Sequence, residues 1–166
     1  MLREEGADTN PRETLPSDGR DETPNERSDR NWAEIIQELR ATQTGTQIIS
    51  GFLLTLPFQQ RFTDLVSPQL GLYVALVILA AATTALGLAP VALHRTLFGQ
   101  HKKERMVRIG NLLLRADLAM VSVLTGGVVL LIISVAIGWT AAWLSATAIA
   151  LSLMLLLVVI PVTAKR

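Results

Sequence analysis

The sequence lacks cysteine altogether and is poor in aromatic residues, which make up 5% of its 166 residues. Without cysteine the chain has no disulfide framework, no thiol nucleophile and no thiolate ligand for a metal. The N-terminus has no apolar run of the kind that a cleaved signal peptide needs. The sequence also contains no nucleophile elbow, glycine-rich phosphate loop or zinc-binding motif. We therefore expect a protein that is not an enzyme and that binds no cofactor or metal.

Charge is absent from two long segments, because neither 65–93 nor 118–164 contains Asp, Glu, Lys, Arg or His. A helix needs about 20 apolar residues to cross the roughly 30 Å hydrocarbon core of a bilayer. Residues 71–93, 118–137 and 141–160 reach that length and are apolar on all sides, which is typical of membrane spans. The sequence predicts three transmembrane helices here.

A fourth span is predicted at 41–61, where no charge occurs between Arg40 and Arg61. Pro57 should kink or end this helix, because proline lacks the backbone N–H that helical bonding requires. The fold class predicted from these four spans is an all-α integral membrane four-helix bundle over residues 31–166.

A short amphipathic helix is predicted before the first span. Asn31 and Glu34 form a capping-box-like pair, and four apolar residues then share one helix face: Trp32, Ile35, Ile36 and Leu39. This helix either lies in the interfacial plane, with Trp32 as its anchor, or packs on the cytoplasmic end of the bundle.

The N-terminal tail, residues 1–30, is predicted to be disordered and acidic. Residues 1–31 contain nine acidic residues and five arginines, and few apolar ones. Such a segment cannot bury enough apolar surface to offset the entropy of ordering it. The tail is either a solvated leader or a docking segment for a cytoplasmic partner.

Topology follows from positive charge, which concentrates in short cytoplasmic loops. Residues 94–116 hold six basic residues and one acidic residue before Asp117, so this loop is expected inside, with 62–70 and 138–140 outside and both termini in the cytoplasm. The lipid bilayer is the expected partner, and no nucleic acid is expected. Anionic lipid headgroups are expected to contact a set of basic side chains: Arg95, Lys102, Lys103, Arg105 and Arg108.

Polar residues at spacings of three or four mark the first span as the candidate functional element. Lipid cannot hydrogen-bond these side chains, so they should face protein or water. They form either a packing seam between helices or the wall of a polar passage, and they are Arg40, Gln43, Thr44, Gln47 and Ser50.

Asp117 is a second candidate, as the ligand of a proton or cation. The alternative is an acid at the start of a helix, stabilised by the helix dipole or by a nearby arginine. Alanines at four-residue spacing in the second and fourth spans permit close packing between helices, within one chain or in a homo-oligomer.

Several motifs resemble an uncharacterised family of small bacterial four-helix membrane proteins, found mainly in high-GC Gram-positive bacteria. The motifs lie in 39–47, 51–62 and 89–98, and the resemblance covers roughly residues 31–138. It implies a multi-pass protein of the bacterial inner membrane with unknown function. Some members are loosely labelled sodium/proton antiporters, and no site residues carry over from them.

Overall fold

The computed structural model describes residues 22–97 and 103–164. These residues form helices and contain no strand, which confirms the predicted all-α class for the described part of the chain. Short 3-10 turns join the first two helices, and one π-helical segment extends the last long helix to its C-terminal turn. The elements are α1 (Pro24–Thr55), the turns Leu56–Phe58 and Gln60–Asp64, α2 (Ser67–Leu97), α3 (Lys103–Ala136), α4 (Trp139–Met154), the π-helical Leu155–Val159 and α5 (Ile160–Thr163).

α1 is one continuous helix, which corrects the predicted start at Asn31 and the predicted separate amphipathic helix. Its N-cap is Thr23, whose hydroxyl accepts a hydrogen bond from the Glu26 backbone N–H. The Glu26 carboxylate in turn accepts from the Thr23 N–H at 2.8 Å. This capping box satisfies backbone donors at the helix start. The last residues of the predicted tail are therefore helical, while residues 1–21 lie outside the described residues.

The N-terminal half of α1 packs against α3. Trp32, Ile35 and Leu39 are buried, and the two aliphatic residues form an apolar cluster with Leu114 of α3. A Cβ built on Gly110 would lie 2.7 Å from Cζ3 of Trp32. The indole is thus packed against α3, which fits the second predicted alternative, a helix that packs on the end of the bundle.

The basic segment 94–116, predicted as a loop, is mostly helical. α2 continues to Leu97, and α3 begins at Lys103. Both helices extend past the charge-free segments from which the spans were predicted, since hydropathy marks where a span is apolar and not where the helix stops. This moves Asp117 from a predicted helix start into the interior of α3.

Three helices are long and apolar enough to cross a membrane: Ser67–Leu93, Arg105–Ala136 and Trp139–Thr163. α1 does not meet that criterion. Its helical part ends at Thr55, so it extends about 22 Å beyond Arg40 at about 1.5 Å per residue. Pro57 lies in the 3-10 turn that follows, close to where the sequence predicts a break.

α1, α2 and α3 share one apolar core at the end of the bundle opposite the basic residues. It consists of Leu53, Tyr73, Leu76, Ala80, Leu124 and Leu131. Gly127 permits this packing, because a Cβ there would overlap Cδ2 of Leu76. α4 packs on α3 alone among the long described helices. Gly138 makes the turn between those two helices at φ 132°.

Candidate functional site

Asp117 is completely buried in the interior of α3. The helix begins at Lys103, about 21 Å away along the axis at about 1.5 Å per residue. Because dipole effects fall off within the first turn of a helix, they do not explain this carboxyl. No ion pair reaches it from the described residues, and the neighbouring Arg115 is exposed. Both parts of the helix-start interpretation are therefore wrong.

Two consecutive residues of α1 hold the carboxyl of Asp117. Thr42 Oγ1 lies 2.6 Å from Asp117 Oδ2, and Gln43 Nε2 lies 3.3 Å from Asp117 Oδ1. Thr42 belongs to the α1 face that packs on α3, and Gln43 lies at the edge of that face. The contact joins α1 to α3 through polar groups.

The Gln43 amide also reaches α2. Its Nε2 donates to the Thr83 backbone carbonyl at 3.2 Å. Gly87 provides the room, since a Cβ at that position would overlap Nε2 and Cδ of Gln43. One amide group therefore links three helices, and we call Thr42, Gln43, Thr83 and Asp117 the Asp117 cluster.

The predicted polar stripe on α1 divides between two faces. Gln43 turns inward, whereas Arg40, Thr44 and Gln47 are exposed. Ser50 is half-buried, and its Oγ has no hydrogen-bond partner in the described part of the chain. The structure thus brings Gln43 and Asp117 together, and it separates both from the other polar residues that the sequence singled out.

Thr42 and Thr83 of the site, and Thr46 beside them, were not predicted from the sequence. Thr46 and Thr83 are both fully buried, and Thr46 donates to the Thr42 carbonyl at 3.1 Å. The sequence does contain a signal for Thr42 and Thr46, because they are four residues apart and continue the helix face that starts with Ile35 and Leu39. No comparable signal marks Thr83, which lies within a long apolar run.

A second polar link joins α2 and α3 at the opposite end of the bundle. Gln69 Nε2 lies 3.4 Å from Ser134 Oγ, and Gln69 Oε1 accepts from the Val66 N–H at 3.2 Å. Both side chains are buried. This pair fixes the start of α2 against the end of α3, and its neutral groups carry no charge into the apolar core.

Basic side chains are exposed where α2 ends and α3 begins, at Arg95, Arg105 and Arg108. Of the other two predicted lipid contacts, Lys102 lies outside the described residues, as does the side chain of Lys103. This surface keeps the positive charge on one end of the bundle.

At the start of α1, Arg30 pairs with Glu22 at 3.1 Å and with Glu34 at 3.2 Å. The hydrogen bond to Glu22 is the main cause that raises the pKa of Arg30 above its ordinary value. Because Arg30 is a surface guanidinium, these pairs contribute little to stability.

The described residues contain no group of three or more His, Cys, Asp or Glu side chains that could hold a metal ion. The Asp117 cluster consists of one carboxyl, one amide, hydroxyls and a backbone carbonyl. Such a set can tie helices together or hold a proton.

The three long apolar helices fit a multi-pass membrane protein. The chain belongs to a family of proteins of unknown function, DUF6328, whose model matches residues 21–161. No curated protein and no solved structure matches the chain.

Proposed function

We propose that the protein is a non-enzymatic integral membrane protein in which α1 crosses the bilayer beside the three apolar helices. The support is the burial of α1 along its length. Leu39, Thr46 and Leu53 are all buried, and α1 packs on both α2 and α3. A helix that packs beside two spans and turns part of its polar side chains, such as Gln43 and Thr46, against them does not need to be apolar all round.

The observation that carries this proposal is the Gln43 amide, which bridges Thr83 of α2 and Asp117 of α3. Polar groups that pair across helices hold membrane bundles together, because lipid offers them no partner. The inward part of the polar stripe is then a packing seam. Its exposed part, Arg40, Thr44 and Gln47, is available to another copy or another subunit, as expected of an accessory or oligomeric protein.

Variants at the two glutamines test the seam. Gln43→Leu should lower stability in detergent, whereas Gln47→Leu, at an exposed position, should leave the stability of a single chain unchanged. Size-exclusion chromatography with light scattering would report whether Gln47→Leu instead weakens assembly. Equal stability of Gln43→Leu and the parent protein would contradict the seam.

The proposed topology places both termini in the cytoplasm of a bacterial cell, because an even number of spans returns the chain to the side of its basic residues. Single cysteines at Asn25 and Ser67 test this without background, since the chain has no native cysteine and both positions are exposed. In whole cells a membrane-impermeant maleimide should label Ser67→Cys but not Asn25→Cys. Permeabilised cells should label both, and external labelling of Asn25→Cys in intact cells would contradict the topology.

A small transporter or channel, of the sodium/proton antiporter kind, is the second candidate function. The buried Asp117 favours it, because ionisable groups within membrane spans commonly mark ion or proton pathways. Thr83, which lies beside the same amide, is about 15 Å from the Leu93 end of its apolar helix at about 1.5 Å per residue. Purified protein in proteoliposomes should then carry flux under sodium, potassium or proton gradients, and Asp117→Asn should abolish it. Silent vesicles under all three gradients would argue against this function.

A further inference from the structure

An apolar groove runs along the outside of the bundle between α3 and the last long helix. Its volume is about 730 Å³, within the roughly 300–1,000 Å³ of sites that hold small molecules. Its apolar floor follows α3 from Leu118 to Leu130, a length of about 18 Å at about 1.5 Å per residue. Because half of the hydrocarbon core measures roughly 15 Å, the groove is long enough for one acyl chain of a membrane lipid.

The groove is open because the last helix diverges from α3. The π-helical Leu155–Val159 and α5 after it bring no Cα within 8 Å of the described α3. Leu157 and Val158 form the opposite wall of the groove, and residues 154–164 are all exposed. On the floor, a Cβ built on Gly126 would meet nothing within 4 Å. The two walls therefore stand apart, and their own side chains do not fill the space between them.

A cation lines this otherwise apolar groove at one end. Arg115 is the charged residue among the lining side chains, and it is exposed. No carboxylate of the described residues pairs with it, since Asp117 is buried and held by Thr42 and Gln43. Guanidinium groups bind phosphate through two parallel hydrogen bonds. The groove thus joins a channel for an acyl chain to a group that binds phosphate.

The depth of Arg115 in the bundle also fits a lipid headgroup. Arg115 precedes the turn at Gly138 by 23 residues, and Pro161 follows that turn by 23. Because the two helices run antiparallel from this turn, Arg115 lies about level with Pro161, close to Thr163 at the end of the last apolar helix. In the proposed topology this end lies at the cytoplasmic surface, where anionic headgroups attract basic side chains.

A second protein helix fits the groove less well than a lipid does. Over the same length of about 18 Å, a helix about 10–12 Å in diameter occupies roughly 1,400–2,000 Å³, about twice the volume of the groove or more. Such a helix would also have to bring a carboxylate to Arg115. A phospholipid carries its phosphate at the end of its acyl chains, so one molecule supplies both the apolar and the anionic part.

We propose that this groove is a binding site for an anionic phospholipid, with one acyl chain between Leu118 and Leu130 and the phosphate on Arg115. The site differs from the general attraction of basic surface residues to anionic membranes, because it holds a single lipid against a particular pair of helices. It rests on the proposed topology, which places Arg115 at the headgroups of the cytoplasmic leaflet.

Native mass spectrometry of the full-length protein tests the site. Phosphatidylglycerol and phosphatidylcholine with the same acyl chains are added in equal amounts to the protein in detergent. One phosphatidylglycerol per chain should be retained in preference to phosphatidylcholine. Arg115→Gln should weaken phosphatidylglycerol binding about fivefold, the effect of one basic residue near anionic lipid, and should leave phosphatidylcholine unchanged. Arg95→Gln, an exposed position on α2, is the matched control and should behave like the parent protein.

Gly126→Leu tests the apolar part of the groove. The new side chain enters open space and should remove the retained lipid of either kind. Gly45→Leu is its control, because a Cβ at that exposed glycine of α1 also meets nothing within 4 Å, and the lipid should stay bound. Where Gly126→Leu fails to fold, Arg115→Gln, at an exposed position, still decides the question.

Equal retention of the two lipids by the parent protein would overturn the proposal, as would a preference that persists unchanged in Arg115→Gln. The same spectra report the number of chains. A dimer that Gly126→Leu dissociates, with lipid binding unchanged, would assign the groove to a second copy instead. The maleimide labelling of Asn25→Cys judges the topology separately. Absence of any lipid preference together with the expected labelling would refute the lipid site and leave the topology in place.

Discussion

Gly87→Ala should break the link between α1 and α2 without altering any group that forms it. The new Cβ would overlap Nε2 and Cδ of Gln43 and would lie 2.8 Å from its Cγ. Because three successive atoms of the side chain are affected, rotation of the amide alone cannot relieve the overlap. Gln43 must leave the position from which it reaches Thr83 and Asp117.

The size of the effect follows from the bonds that are lost. Gln43 makes two hydrogen bonds, at 3.2 and 3.3 Å, and such bonds between membrane helices contribute roughly 0.6–2 kcal/mol each. Their loss should cost about 1–4 kcal/mol. The higher helix propensity of alanine returns up to about 1 kcal/mol. We expect a net loss of up to about 3 kcal/mol in the free energy of unfolding.

A double-mutant cycle with Gln43→Ala isolates this mechanism. In the Gln43→Ala background the side chain that would clash is absent, so Gly87→Ala should be neutral or stabilising. The coupling energy between the two positions should be on the order of 2 kcal/mol, well above the roughly 0.5 kcal/mol seen for independent sites. Gly45→Ala is a matched control, because nothing lies within 4 Å of a Cβ at that exposed glycine.

The assay is reversible unfolding in mixed micelles, in which a denaturing detergent is titrated and tryptophan fluorescence reports the transition. The buried Trp32 provides a probe on α1. Additive costs of the two substitutions would refute the geometry described for the Gln43 amide. So would a double variant less stable than Gln43→Ala alone.

Three further predictions concern the packing of the bundle and use the same titration. Gly110→Ala should cost about 1–3 kcal/mol by overpacking, because the ring of Trp32 lies 2.7 Å from the new Cβ; an unchanged midpoint would contradict this contact. Leu124→Ala should cost about 2–5 kcal/mol through the cavity it leaves at a site with no exposure, whereas Leu112→Ala, at a position 67% exposed, should change stability by less than about 0.5 kcal/mol. Gly138→Ala should cost on the order of 1–3 kcal/mol, since φ 132° and ψ 171° suit glycine alone, and a neutral result would contradict that turn.

The apolar helices could be predicted from the sequence because membrane spans are defined by composition. Long apolar segments without charge are stable in the hydrocarbon core of a membrane. The three predicted apolar spans correspond to the three helices that are long and apolar enough to cross one. Helix ends are set by other forces. α1 begins at a capping box formed by Thr23 and Glu26, and this local pattern lies inside a segment whose composition indicates disorder. The prediction of disorder from composition therefore overlooked the capping box that the sequence contains at Thr23 and Glu26.

The candidate site was only partly predictable, because the spacing of residues shows which of them share a helix face but not whether that face is turned into the bundle. Arg40, Gln43, Thr44 and Gln47 are consistent with one broad stripe, yet three of them are exposed and only Gln43 turns inward. The inward face is set by the apolar residues before it, Leu39 above all. If the buried face of α1 is assigned from its apolar residues rather than from its polar ones, Thr42 and Thr46 fall on that face.

The position of Asp117 depended on where α3 begins. Its neighbours on the N-terminal side are rich in arginine and lysine, which made the segment resemble a cytoplasmic loop. In the structure Arg105, Arg108 and Arg115 are exposed on a helix whose other face, with Met106 and Leu114, is buried. An amphipathic extension of a span and a charged loop have similar composition, and only the periodicity of the apolar residues distinguishes them.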